Sequence, residues 1–441
     1  MSLKTVANQP VVSTRGILKW AALLVALGEF IDGYDLLVMG AAMLFLKPAF
    51  HLSPSQAGLL SSSAFVGAAV GLFFFGPITD RLGRRTIFIV NLMFFVGFSI
   101  LSAFITNTWE LFLTRFFVGL AVGADIPAST AFLAEIAPAE KRGRFLGTLP
   151  NLLWVAGAIT ATILGISLLH TGNNAWRWMF ATAAIPSFLV LVGRQALPES
   201  PRWLIRKGDV KGAEEACRKL GIPMPEVSHE ANQQKTRFVD LFSPKYRRRS
   251  IVVSLVFGLN TLAGPITTLA VPYILKFGGL MSNRSSLLFS LAIYGVDILG
   301  LLTGFFLIEK LNRRTLAYLS GGCTGLLAIV MGIIGFKSGI LLIVVYLLLA
   351  YSLWCGLAAL VWVWGSELFP THLRGAGQGL TNGVGRLGIV LTSFIVPMGI
   401  ASLGVRITVV LFAIPLFILI LLVATHPMFD TNGKTLESIS D

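Results

Sequence analysis

The sequence predicts an all-α membrane protein of twelve transmembrane helices, arranged as two six-helix repeats. Three observations carry this. Of 441 residues, 55% are hydrophobic and only 13% charged, with mean hydropathy +0.79, whereas soluble domains run near ~25% charged. Apolar stretches long enough to cross a bilayer, which takes roughly 20 residues, recur about a dozen times. Finally, motifs of the first half return in the second at an offset of about 230 residues.

The first apolar segment, about 17–46, is the unusual one. Its run GEFIDGYDLLVMG (residues 28–40) carries three carboxylates, Glu29, Asp32 and Asp35. Asp32 lies about 13 residues beyond Lys19, which marks the membrane surface, so at roughly 1.5 Å per residue it is near the bilayer centre. A carboxylate there costs at least ~2.5 kcal/mol and marks an ion or substrate pathway unless a partner on another helix neutralises it. Glu29 is the weakest functional candidate of the three. The remaining first-half segments are about 56–79, 86–106, 110–136, 145–169 and 176–197, and the second half gives about 250–275, 285–308, 315–335, 339–366, 374–400 and 405–424. The expected organisation is therefore a first half over 1–197, a linker over 198–249 and a second half over 250–441. Within the linker, residues 209–220 (DVKGAEEACRKL) read as a short amphipathic helix.

Charge orients the chain. One alternating set of loops carries DRLGRR (80–85), EKRGR (140–144), the linker with Arg247, Arg248 and Arg249, EKLNRR (309–314) and Arg374. The other set is nearly free of basic residues, so the first faces the cytoplasm and both termini are cytoplasmic. The expected location is the inner (plasma) membrane. The first segment is too long and too charged for a cleaved signal peptide. The net charge of +14 sits in short clusters between apolar segments, which suits an anionic lipid leaflet and not nucleic acid. Cys217, Cys323 and Cys355 have no paired spacing, so neither disulfides nor a metal site are expected, and no cofactor. The 45 glycines suit a tightly packed bundle, expected to act as a monomer.

The repeat is explicit. GPITDRLGRR (76–85) resembles GFFLIEKLNRR (304–314), and EIAPAEKRG (135–143) resembles ELFPTHLRG (367–375), each pair at the same span number of its half. Two six-span repeats joined by a linker form a secondary-transporter arrangement, with the site between the halves at mid-membrane. GVGRLG (383–388) spells a dinucleotide fingerprint, but no strand precedes it and it lies in a span, so close helix packing explains its glycines.

At these residues the chain resembles the major facilitator superfamily over nearly its whole length. Gly76-x-x-x-Asp80-x-x-Gly83-Arg84-Arg85 matches the loop 2–3 signature. Arg115-Phe-Phe-Val-Gly119 to Gly123, followed by Glu135-Ile-Ala-Pro138 and Arg142-Gly143, is similar to the fourth span and loop of the sugar-porter and organic-ion branches, as is PESPRW (198–203). The resemblance implies a cytoplasmic charge network of Asp80, Arg84, Arg85, Glu135, Arg144, Glu199 and Arg202, with Glu309, Arg313, Glu367 and Arg374 as second-half counterparts, gating the cytoplasmic side. Departures are Glu309 and Asn312, where Asp and Gly are usual, and Thr425-His426-Pro427 at the end of span twelve. Sugar porters usually carry a Gln pair in span seven; here residues 254–260 read SLVFGLN. The DGYD run at 32–35 instead resembles metabolite–proton symporters, and Arg386 is similar to an arginine of organic-anion carriers.

Within the membrane, Arg115 and Asp35 lie at similar depth and are expected to pair; the resemblance implies that such a pair links protonation to gating. All five histidines fall in loops or at span ends, so the proton-coupling candidates are Asp32, Asp35 and Arg115. Candidate substrate contacts are Arg386, Tyr34, Asp125, Asn151, Trp154, Asn260, Trp354, Trp362 and Asn382. Competing structural roles are a helix–helix bridge for Asp125, hydrogen bonds between helices for the amides and interfacial packing for the tryptophans. Arg386 lies about 12 residues beyond Arg374, roughly 18 Å along a helix. Its competing partner is a protein carboxylate such as Asp297. A guanidinium offers a planar fork matched to a carboxylate. The expected function is proton-coupled symport of a small polar metabolite, favoured an organic acid, with a sugar or polyol symporter as the alternative. Its partners are then the substrate, protons and the bilayer. No metalloprotease, nucleophile-elbow or metal pattern suggests an enzyme, and a nutrient receptor usually needs a longer tail.

Overall fold

A computed structural model describes residues 15–136, 149–224, 238–268, 270–277, 281–335, 339–369 and 373–431. Among these residues every regular element is a helix. Nine stretches are long and apolar enough to cross a membrane. Two of them, of 47 and 50 residues, each hold two spans, and the carboxylate-bearing first helix completes twelve.

The first half comprises α1 (Arg15–Ala49), α2 (Pro54–Leu82), α3 (Arg84–Leu101), α4 (Thr108–Ile136), α5 (Leu149–Ser167), and a sixth span made of α6 (Ala175–Thr182) and α7 (Ala184–Gln195). Ser53 starts α2 with a capping box: Gln56 N–H donates to its hydroxyl, and its own N–H donates to Gln56 Oε1, satisfying two orphan donors reciprocally. The α2–α3 turn is Gly83 at φ +94, a conformation that glycine adopts without penalty. In the linker α8 (Pro201–Arg206) precedes α9 (Val210–Leu220). Asp209 caps α9 through Gly212 N–H at 2.9 Å, and Ala213, Ala216, Cys217 and Leu220 form its buried face.

The second half comprises α10 (Arg247–Ala263), α11 (Val271–Phe277), α12 (Asn283–Lys310), α13 (Arg313–Ile334), α14 (Gly339–Trp354), α15 (Leu357–Glu367), α16 (Arg374–Leu411) and α17 (Ala413–Thr425). Two spans expected to be continuous are broken. Span seven changes from α10 to a 3₁₀ turn at Gly264–Thr267 before α11; Pro265 removes a backbone donor there. Span ten breaks at Gly356, whose φ/ψ of −148/−67 is not helical. Gly404, at φ 78 and ψ 166, separates spans eleven and twelve inside α16.

Helices cross closely where glycine meets backbone. A methyl at Gly119 or Gly123 of α4 would strike the Ala64 or Ala68 carbonyl of α2, and one at Gly67 would strike Phe116 O of α4. At the α1–α5 crossing Gly33 meets Trp154 O and Gly157 meets Phe30 O. Small residues of this kind allow van der Waals packing between spans in lipid. Likewise Gly383, Gly385 and Gly388 of α16 pack against Phe73, Phe257 and the Gly258 carbonyl.

The halves meet along α2–α16, α5–α12 and α1–α11. At the end opposite the basic loops, Lys47 donates to Tyr273 Oη at 3.1 Å and lies 4.1 Å from the Phe277 ring centre. Burial along α1 shows which end is closed. Residues 31–46 are all buried, whereas Glu29 and Phe30, nearer the end that carries the basic loops, are half-buried.

Candidate functional site

Asp35 and Arg115 form a closed pair. Arg115 Nη1 donates to Asp35 Oδ1 at 2.8 Å, Nη2 bonds Oδ2, and Nη2 also donates to the Asp35 carbonyl at 3.0 Å. Both side chains are 0% exposed, and the guanidinium lies 4.7 Å from the Phe180 ring centre. Bidentate geometry on a planar fork makes this the strong form of the interaction. Tyr34, expected to touch substrate, turns instead to span six: its hydroxyl donates to Met179 O at 3.0 Å and sits 2.9 Å from Thr182 Oγ1. It is 2% exposed and serves the α1–α6 seam, since a buried phenol needs a hydrogen-bond partner.

A second buried pair was not foreseen. Arg194 donates to Asp125 Oδ1 at 2.5 Å and Oδ2 at 3.1 Å, and to the Leu24 and Val25 carbonyls at 3.1 and 2.7 Å. Asn91 Nδ2 and Ser129 Oγ also donate to Asp125, at 3.1 and 2.8 Å. Asp125 is thus held by protein groups from three helices, the helix–helix bridge that was its competing role. Arg194 reads in sequence as one more basic residue at a span end. Its signal is that an arginine one turn inside a span requires a carboxylate, and Asp125 is a membrane carboxylate in need of a cation.

Between the halves stands a third charged group. Glu29, Asp32 and Arg386 lie within electrostatic reach of one another. Asp32 is 3% exposed, Arg386 half-buried, and neither forms a hydrogen bond or ion pair to a described residue. Arg386 therefore faces α1, and Asp297, its expected alternative partner, is not the group it answers. A cavity of about 10 Å³ lined by Gly28, Asp32, Asn91 and Asp125 is about the size that holds one water.

Aromatic and amide groups line this level. The Trp154 and Trp354 rings lie 6.0 Å apart across the two halves, and Trp362 lies edge-on to Phe257 at 5.4 Å. Trp154, Trp354, Trp362 and Asn151 are half-buried. The Asn260 Oδ1 acceptor and the Trp354 Nε1 donor are buried without a partner among the described residues, so both are available to a polar ligand. Asn382 donates to Gln378 O of its own helix at 2.9 Å, which leaves its carbonyl oxygen as the free function.

At the basic end, Glu199 binds backbone. It accepts from Arg84 N–H at 2.9 Å and Arg85 N–H at 3.1 Å, a carboxylate on the positive end of α3. Arg85 donates to Gln195 O at 2.9 Å, Arg84 is buried, and Arg202 is exposed. In the second half Arg313 pairs with Glu367 and with Thr431 Oγ1. Asn312 caps α13 through Arg314 N–H and donates to Asp430 Oδ1, both at 2.9 Å. Asp430 lies about 230 residues after Glu199, so it supplies the carboxylate missing from the Thr425-His426-Pro427 end. The side chains of Asp80, Glu135, Glu309 and Arg374, and all of Arg144, lie outside the described residues.

Two six-span halves around a central charged cavity define a secondary transporter. The sugar (and other) transporter family matches residues 21–441, and the chain belongs to that family, within the major facilitator superfamily. It is 32% identical to YaaU of Escherichia coli K12, described as a metabolite transport protein, over 94% of this chain and 92% of that one. It is 30% identical to the glucose transporter GlcP of Staphylococcus epidermidis, over 94% of each chain. It is also 30% identical to the niacin transporter NiaP of Acinetobacter baylyi, over 98% of each. Among solved structures it superposes on the partially occluded, inward-open xylose transporter XylE of E. coli with TM-score 0.79 and 20% identity, covering 93% and 98% of the two chains; at that identity the likeness is one of fold. The chain is a multi-pass membrane transporter of the sugar and metabolite type.

Proposed function

We propose that the protein carries a small organic acid together with a proton, and that Arg386 holds the substrate's carboxylate. The observation that carries this reading is a charge imbalance: two carboxylates, Glu29 and Asp32, face one guanidinium that closes an ion pair with neither. With both carboxylates ionised the group is net negative and repels an anion. With both protonated, Arg386 is left as an unanswered cation in a low-dielectric cavity, where the field of a single charge is strong. Binding an anion and binding protons then favour each other, which is the thermodynamic content of symport. Trp154 and Trp354 offer ring faces to the substrate body, and Asn260 Oδ1 and Trp354 Nε1 offer an acceptor and a donor. Asp32 is the favoured proton carrier. Asp35 gives up its bidentate bond to Arg115 only when protonated, which makes that pair a second, gating step. The basic loops face the cytoplasm of a bacterial inner membrane by charge bias. Niacin, the named cargo of one relative, is itself an aromatic carboxylate.

The second reading is a sugar or polyol symporter, favoured by the glucose-transporter relative and by the two unpartnered polar atoms. Proteoliposome uptake separates the two. The wild type and Arg386→Lys are assayed against matched acid, amide and alcohol ligands under an imposed proton gradient. The expected result is accumulation of the acid alone and a loss of roughly tenfold or more in its affinity in Arg386→Lys, because a point charge cannot replace two parallel hydrogen bonds. Preference for the neutral ligands, or equal loss for all three, transfers the assignment to the sugar reading.

A further inference from the structure

Asp297 stands at the middle of α12, about as far from Asn283 as from Lys310. It is 0% exposed, and no described donor reaches either carboxylate oxygen. Two titratable neighbours face it, Tyr294 one turn earlier on α12 and Tyr346 on α14. Both hydroxyl protons are directed elsewhere. Tyr346 donates to Ile266 O at 2.5 Å and Tyr294 to Thr268 O at 3.4 Å, carbonyls at the break in span seven. Among the described residues, the other elements packed on α12 bring no charge to Asp297. On α11, Tyr273 is engaged by Lys47; from α13 and α15, Arg313 and Glu367 pair with each other; α5 contributes Thr162, a partner of Tyr294.

A carboxylate in this position has lost its hydration and gained neither a cation nor a donor, so the neutral acid is the form the site accommodates. The cover on its first-half side is α5, which packs on α12 and brings Thr162 to Tyr294, one turn from Asp297. We propose that Asp297 is a proton-binding site of the second half, which holds its proton while α5 covers it and exchanges it with water when the α5–α12 seam opens. The site is independent of the Asp32 and Arg386 assignment and requires only that the halves move apart at this seam.

Infrared spectroscopy of the full-length protein in bilayers tests this without a known substrate. The wild-type-minus-Asp297→Asn difference spectrum at pH 7 is expected to contain the carbonyl stretch of a protonated carboxyl, sensitive to heavy water. That band should survive far above the ordinary aspartate range near pH ~4. Asp297→Glu should displace the band, and Asp32→Asn should leave it in place. Thr162→Trp, a wedge in the seam beside Tyr294, should bring its titration down toward the ordinary range. Absence of the band at pH 7, or its disappearance near pH ~4 in the wild type, overturns the proton site. A band whose titration is unmoved by the wedge overturns the role of the seam. If Asp297→Asn fails to fold, the Asp297→Glu comparison decides alone: a displaced band supports the proposal and an unchanged spectrum overturns it.

Discussion

Asp32 and Asp35 stand one turn apart on α1 and have opposite surroundings. Asp35 is saturated by Arg115, while Asp32 has no hydrogen bond to a described residue and shares the field of Arg386 with Glu29. Substitution should separate them. Asp32→Asn keeps shape and removes the titrating group, so pH-driven accumulation should vanish while substrate exchange survives; normal accumulation would rule Asp32 out. Asp35→Asn leaves Arg115 buried with half its partners. Breaking one side of a buried pair typically costs about 3–5 kcal/mol, so a marked fall in thermal stability is expected, rescued by Arg115→Gln in the same chain. Asp125→Asn should destabilise in the same way through Arg194. The sequence revealed the Asp35–Arg115 pair because both residues could be placed by depth along their helices. Asp125–Arg194 was missed for a physical reason. Arg194 sits at a span end, where snorkelling to the interface accounts for most arginines, and here it reaches inward instead, with Phe88 against its guanidinium at 4.5 Å.

Helix positions were legible from hydropathy because lipid demands continuous apolar length, and charge clusters marked the turns. Helix breaks were not, since a 3₁₀ turn or an isolated non-helical glycine leaves hydropathy unchanged. Gly264-Pro265 and Gly356 are the local signals that identify them. The close crossings are likewise invisible to hydropathy, yet they set how rigid each half is. Gly119→Val places side-chain atoms against the Ala64 carbonyl, a backbone atom that cannot swing aside. Overpacking of this kind costs about 1–3 kcal/mol. The expected outcome is a lower melting temperature in detergent with α2 and α4 pushed apart. Gly97, with open space around its Cβ position, is the control: Gly97→Ala should be neutral or slightly stabilising. The second-half capping carboxylate shows what a motif comparison alone misses. Asp430 reaches the start of α13 through Asn312, where Glu199 reaches the start of α3 directly.

At the scale of the molecule, the two halves are closed on α1 at the end opposite the basic loops, where residues 31–46 are all buried. The closed end is fastened by Lys47, which bridges from α1 to Tyr273 and Phe277 of α11. Behind it lies a small cavity of about 20 Å³, lined in part by Gly40, Met43, Tyr273 and Ser393. Lys47 is thus a contact that exists in this state and must part when the transporter opens the other way. Such a contact biases the equilibrium only by the free energy it contributes to the closed state. One hydrogen bond from a charged donor is worth about 1.5–3 kcal/mol, enough to shift a two-state population by tenfold or more. A single cysteine at Ser393, in a chain whose Cys217, Cys323 and Cys355 are serine, reports on it. Labelling by a membrane-impermeant maleimide applied from the side opposite the basic loops should be slow with Lys47 present. In Lys47→Ala it should rise about tenfold, and in Tyr273→Phe, which keeps the cation over the rings, by less. Equal labelling rates in all three chains would show that Lys47 does not hold this end shut, and that the seams along α2–α16 and α5–α12 do so alone.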